Sequence, residues 1–156
     1  MKYEIVIGID PDVDKNGISV TDKKSNQTSL LSLPFPQTID FVKNLCQKYN
    51  IQGISYIVAV EAGWLNHAHW HLTHYDTKQS AAAKGNATGR NHEVGRKIVE
   101  MLNFYQINNT LVKPLKKVWK SKSGKISHEE LTRLTSLNCK QSNQEERDAA
   151  LISILY

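Results

Sequence analysis

Ile5-Val6-Ile7-Gly8-Ile9-Asp10 decides the fold. It is an apolar run of strand length that ends on a carboxylate, and residues 3–10 read as a buried strand. A second run of the same kind, Tyr56-Ile57-Val58-Ala59-Val60, ends on Glu61. A third acid, Asp148, opens the apolar helical stretch Ala149-Ala150-Leu151-Ile152-Ser153-Ile154-Leu155. Two strand-end acids and one helix-borne acid can meet at the rim of a sheet. Acids in apolar surroundings are costly unless paired or metal-bound, so three kept together point to a divalent cation.

The chain has 156 residues, of which 40% are hydrophobic and 22% charged, the balance of a globular domain rather than a disordered one. We read residues 1–156 as a single domain, without internal repeat or dividing linker. The net charge of +5 favours a polyanionic partner. Cys46 and Cys139 stand far apart and form no CxxC pair, which suits a reducing, cytoplasmic compartment. No signal-peptide pattern precedes the first strand, and no apolar stretch reaches the ~18 residues of a membrane span.

Turn chemistry at 12–17, with Asn16-Gly17 as a hairpin signal, predicts strands at 18–22 and 28–33 in an antiparallel meander. Ile39, Val42, Leu45 and Cys46 recur at helical spacing, and Asn50 and Gly53 close that helix. The run 55–61 is a fourth strand reached by a crossover, hence parallel to a neighbour. Residues 62–88 read as a long, partly helical surface excursion, with Gly85 and Gly89 at its exit. Val94, Ile98, Met101, Leu102 and Tyr105 make one helical stripe, and Thr110-Leu111-Val112 a fifth strand. Ser127 to Glu130 and Ser142 to Glu145 each have capping-box spacing and start the last two helices. The expected fold is α/β: a mixed five-stranded sheet, three meander strands plus two parallel crossover strands, with helices on both faces.

On the first strand Asp10 shares its face with Gly8 and Val6, and on the fourth Glu61 shares its face with Ala59 and Ile57. On the last helix Leu151, Ile152 and Leu155 follow Asp148 at i+3, i+4 and i+7, which places Asp148 and Glu145 on the buried stripe. Each acid also has a plain structural reading. Asp10 before Pro11 can begin a turn, Glu61 can simply end a strand, and Asp148 can pair with a buried cation. Glu145 can close a capping box with Ser142, and Asp12 and Asp14 read as turn residues. Carboxylate and water oxygens suit Mg²⁺ or Mn²⁺.

Ile7-Gly8-Ile9-Asp10-Pro11 followed by Asn16-Gly17-Ile18-Ser19-Val20 resembles the first motif of the RuvC-like Holliday-junction resolvases, which belong to the ribonuclease H-like superfamily. Val58-Ala59-Val60-Glu61 resembles the second motif, and Glu145-x-x-Asp148-Ala149-Ala150-Leu151 the C-terminal one. The resemblance spans nearly the whole chain, in order. It implies a ribonuclease H-like domain and a metal-dependent endonuclease hydrolysing phosphodiester bonds in branched DNA such as Holliday junctions. It also implies a pair of Mg²⁺ or Mn²⁺ ions held by Asp10, Glu61, Glu145 and Asp148, and a homodimer built on the helix of the Val94–Tyr105 stripe. Asp12 stands where that family usually has glycine, and the family's lysine before the last helix has no clean equivalent here; Lys125 and His128 lie nearest.

Lys113, Lys116, Lys117, Lys120, Lys122 and Lys125 fall within 13 residues that hold no acid. They suit a phosphate backbone, which they position on rather than read. Trp64 and Trp70, in a stretch with His67, His69, His71 and His74, suit stacking on exposed bases, with Arg90 and Arg96 in support. The histidine spacing also admits zinc, although no cysteine accompanies it. The alternatives to a junction nuclease are a nuclease for RNA–DNA hybrids or flaps on the same scaffold, and a non-catalytic nucleic-acid-binding module. An actin-like phosphotransferase lacks the glycine-rich phosphate loops it requires.

Overall fold

The structure is a computed structural model that describes residues 2–66, 73, 75–116, 118–121 and 124–156. The strands are β1 (Ile5–Asp10), β2 (Asn16–Asp22), β3 (Gln27–Leu33), β4 (Tyr56–Glu61), β5 (Asn109–Val112) and β6 (Ser136–Leu137). The helices are α1 (Phe35–Gln52), α2 (Lys78–Phe104), α3 (His128–Thr132) and α4 (Gln144–Leu155), with one 3₁₀ turn at Gly63–Leu65. One sheet runs β5-β4-β1-β2-β3-β6. β1, β2 and β3 form the antiparallel meander, while β4 lies parallel to β1 and β5 parallel to β4. This is the expected mixed sheet, extended by β6, a two-residue strand parallel to β3 at the edge.

Several local expectations are corrected. Asn16 and Gly17 begin β2 instead of forming a hairpin turn. Asn16 is fully buried: its amide donates to the Thr38 hydroxyl (2.9 Å) and the Leu33 carbonyl (3.3 Å) and accepts from the Asp12 N–H (3.1 Å). Gly85 and Gly89 do not end the excursion but lie inside α2, which starts at a Thr77 cap. The last helix is capped by Asn143, not Ser142, and the reciprocal glutamate is Glu146, not Glu145. The Ser127–Glu130 box is present at α3, and Gly53 ends α1 in the left-handed region at φ 66°.

Alternation along the strands sorts the core onto two faces. Ile5, Ile7, Ile9, Val58 and Val60 pack under α1 and α2, against Ile39, Val42, Cys46, Ile98 and Leu102. Val6, Ile57 and Ala59 face the other way and pack against Ile152 of α4. That second face is thin because α4 lies almost on the strands. A Cβ at Gly8 would stand 2.3 Å from the Ala149 carbonyl oxygen, and one at Gly17 would stand 2.0 Å from the Glu145 carbonyl oxygen. Glycine is therefore required at both positions for the helix backbone to approach.

A seam of buried hydroxyls sets the helix on this face. The Ser19 hydroxyl donates to the Ala149 carbonyl (2.7 Å), and Ser153 Oγ lies 2.8 Å from Ser19 and 2.7 Å from Thr21. Thr21 pairs with Thr28 (2.9 Å), Thr28 with Thr135 (2.8 Å), and Thr135 donates to the Asn26 carbonyl (2.8 Å). Directional bonds of this kind specify rotation and register, which a few apolar contacts alone leave loose. Among the described residues no helix is long and apolar enough to cross a membrane.

Candidate active site

Parallel pairing of β1 and β4 aligns Ile9 with Val60, so the next residues on the two strands are Asp10 and Glu61. Both leave the sheet at the same rim. On the other flank Asp10 pairs with Gly17, and the first turn of α4 rests on Gly17. That stacking brings Asp148 to the rim. Asp10, Glu61 and Asp148 line one cavity of about 570 Å³. The Asp148 carboxylate accepts a hydrogen bond from Gln144 Nε2 at 2.7 Å. Glu145 stands one turn earlier on α4, outside the cavity lining but near enough to act on Asp10. It is not the capping glutamate, so the structural role open to it in the sequence belongs to Glu146.

Burial pushes the Asp10 carboxyl well above the usual carboxylate range, and the negative charges of Glu61, Asp148, Glu145 and Asp12 push it further, in that order. Four neighbouring acids thus act on one buried carboxyl. Among the described residues no three His, Cys, Asp or Glu side chains form a closed ligand cluster. The acids share a cavity wall and a field rather than a single point. Like charges hold apart, and a divalent cation reverses the sign of each of those interactions. The acids offer carboxylate oxygens, the donors that suit Mg²⁺ or Mn²⁺.

A pH dependence follows from Asp10. Its pKa is raised above the ordinary 3.8 by folding, so the native state binds this proton more tightly than the unfolded chain. That contribution to stability is fully present below the unfolded pKa and is lost as pH rises through the raised native one. In chelator, the melting temperature of the wild type should therefore fall, relative to Asp10→Asn, as pH is raised from about 4. A gap between the two curves that stays constant with pH would contradict the assignment.

The cavity has two further walls. One is the loop after β5: Pro114, Leu115, Lys116, Trp119, Lys125 and Ile126 line it. Trp119 packs against the buried cluster of Ile126, Leu131, Ala150 and Leu151, so the residue that interrupts the lysine run anchors the loop. Arg147, adjacent to Asp148, ties the same loop to α4. Its guanidinium donates to the carbonyls of Ile126 (2.9 Å) and Ser142, and to Gln144 Oε1 (3.0 Å). Lys113 and Lys120 are exposed on this loop, and Lys117 and Lys122 lie outside the described residues. The second wall is the 3₁₀ turn with the first half of α2, including Trp64, Lys84, Asn91 and His92. Asp76 grips Lys84 at 2.7 Å and fixes the lead-in to that helix.

Trp64 is half-buried, with the Arg96 guanidinium 5.6 Å from its ring. Arg96 also lies 3.8 Å from Glu93, and Arg90 is exposed outside the cavity lining. Trp70 and the histidines at 67, 69, 71 and 74 lie outside the described residues, so the base-stacking and zinc readings of that stretch do too. Asp12 is a turn residue: its carboxylate accepts the Asp14 N–H (2.9 Å) and the Asn91 amide (3.0 Å). Sequence reasoning missed Lys84, Asn91, His92 and Arg147. None belongs to a motif or a charge run, and only the packing of α2 and α4 brings them to the site.

No family model and no curated protein matches the chain. Among solved structures it is similar in fold to RuvC of Thermus thermophilus in complex with a Holliday junction substrate. That comparison gives 14% identity and a TM-score of 0.48, covering 97% of this chain and 91% of that one. It is likewise similar to a second Thermus thermophilus RuvC structure, at 17% identity and a TM-score of 0.44, covering 96% and 91%.

Proposed function

We propose that the chain is a Mg²⁺- or Mn²⁺-dependent endonuclease that hydrolyses phosphodiester bonds in branched DNA. The observation that carries this reading is the gathering of Asp10, Glu61 and Asp148 on one cavity, with Asp10 under the repulsion of the other acids. Asp10, Glu61 and Asp148 would hold the ions, and Glu145 would complete the set from one turn away. Ions bound there supply Lewis-acid polarisation of a phosphoryl oxygen and a more acidic water. The chain's own residues then bind and orient. Lys116 and Lys125, on the loop wall, face the cavity where a phosphate backbone would lie. Lys113 and Lys120 extend the positive charge along the same loop, and Lys117 and Lys122 belong to the same run in the sequence. Trp64, Arg90 and Arg96 would form a second candidate contact surface, and Trp70 is assigned to it from the sequence alone. Two copies of the chain would present two such sites to opposing strands of a four-way junction, so that symmetry supplies paired cuts.

The test is a substrate panel in Mg²⁺ and in Mn²⁺: four-way junction, flap, RNA–DNA hybrid and linear duplex. The junction should be cut fastest. Binding should weaken steeply with salt, and Lys116→Ala/Lys125→Ala should make the log–log salt slope shallower by about 2. Preference for the hybrid or flap would move the substrate class without moving the chemistry. The open spacing of the acids favours one second reading, a nucleic-acid-binding module that keeps them without catalysis. Calorimetric titration with Mn²⁺ separates the two, since the module takes up no metal at millimolar concentration.

A further inference from the structure

We propose that a single turn of α2, Asn91 to Gly95, is the positioning element that sets Asp10 and Glu61 relative to one another. The proposal rests on the metal reading above. The β1–β4 ladder fixes the two strands up to Ile9 and Val60. Asp10 is still paired with Gly17 and Glu61 with Val112, but each acid ends its strand and is followed directly by a loop, so the separation of the carboxylates also depends on what holds those loops.

One helical turn holds both. The Asn91 side chain grips the loop after Asp10 with both ends of its amide. Oδ1 accepts from the Val13 N–H (3.1 Å), and Nδ2 donates to Asp12 Oδ2 (3.0 Å). An amide used as donor and acceptor at once has only one satisfactory orientation. The next residue, His92, lays its imidazole on Gly63 in the loop after Glu61, where a Cβ would stand 2.7 Å from Nε2. Gly95 receives the Trp64 ring from that same loop: a Cβ there would stand 2.6 Å from Trp64 Cζ3 and 3.1 Å from Pro11 Cγ. Pro11 directly follows Asp10. The Trp64 and His92 rings meet edge to face at 6.4 Å. Each partner thus offers a glycine to the other's ring, an interlock that admits one spacing.

Asn91 does a second thing. By holding Asp12 it turns the nearest surplus carboxylate toward α2, and Asp12 is absent from the cavity lining. Neither Asn91 nor His92 belongs to the core: α2 is seated by the buried Ile98 and Leu102, with Val94 packed beside them. Asn91 and His92 are half-buried at the rim.

The experiment measures Mn²⁺ affinity by calorimetry, alongside melting temperature in chelator, for wild type, Asn91→Ala, His92→Ala, Gly63→Ala and the double variant Gly63→Ala/His92→Ala. Either alanine at 91 or 92 should weaken Mn²⁺ binding by about 10-fold with a small change in melting temperature. Gly63→Ala alone should weaken it by displacing the imidazole. In the double variant the new methyl meets no ring, so affinity should recover above that of Gly63→Ala. Affinities equal to wild type at 91 and 92, or a double variant as weak as the two single losses combined, overturn this inference while the metal reading stands. A wild type that binds no Mn²⁺ overturns the metal reading and this inference with it.

Discussion

Asp10→Asn is expected to reduce metal-dependent cleavage by on the order of 10³-fold, and to make the metal-free protein harder to unfold. The two effects have one cause. Asp10 sits in the field of Glu61, Asp148, Glu145 and Asp12, and burial adds to the cost of its charge. Asparagine matches its shape and removes the charge. The repulsion disappears, and so does the oxygen set that a divalent cation needs. A carboxylate kept for an ordinary structural bond behaves oppositely, losing stability on neutralisation. Single-turnover cleavage of a four-way junction and thermal melts in chelator read the two halves. Full activity in Asp10→Asn would end the nuclease assignment, and a lower melting temperature would end the electrostatic account of the site.

Gly17→Ala should have the largest effect on the fold of any single methyl group added to this chain. The new Cβ would fall 2.0 Å from the Glu145 carbonyl oxygen and 2.2 Å from its carbonyl carbon. These are backbone atoms of a capped helix, so nothing flexible can yield. The helix must lift, against a seam of hydrogen bonds that holds it down. A cost of ~3 kcal/mol or more is expected, or roughly 6–12 °C in melting temperature. The lift also carries Glu145 and Asp148 away from Asp10, so Mn²⁺ affinity should fall in whatever fraction still folds. Gly53→Ala is the control, since a Cβ there meets nothing within 4 Å and the left-handed φ alone is strained. A Gly17→Ala protein that melts with the wild type would show that α4 does not rest where we place it.

The strand ends were legible because burial and charge are local properties. An apolar run of six residues closing on an acid has few other readings. The helix-borne acid was legible as the opening of an apolar run, but the stripe drawn from it fails at Leu155, which is exposed, because α4 is buried over the contiguous run Ala149 to Ser153. What the sequence hid is mostly a matter of distance. Asn16-Gly17 has the composition of a hairpin turn, and the reason for the glycine is a helix that arrives 128 residues later in the chain. Gly85 and Gly89 argue against helix on propensity, yet α2 runs through them, held at its start by the Thr77 cap and the Asp76 network. Ser142 and Asn143 can each cap a helix, and each has a glutamate three residues on, so the pattern is degenerate by one position. Choosing Asn143 gives the reciprocal bond to Glu146 and releases Glu145 from that role. The turn Asn91–Gly95 carried no signal at all, because its meaning lies entirely in the loops it touches.

Of the hydroxyls under the last helix, the three threonines run in a single sense. Thr135 gives its only proton to the Asn26 carbonyl, so Thr28 must give its own to Thr135, and Thr21 to Thr28. The polarity of the whole queue is dictated from one end. Replacing Thr135 by valine would remove that end, so Thr28 would have to turn its proton to Thr21, Thr21 its own to Ser153, and Ser153 its own to the Ala150 carbonyl. An edit just before the edge strand β6 is thereby felt beneath α4, because the hydroxyls between them have to turn in concert.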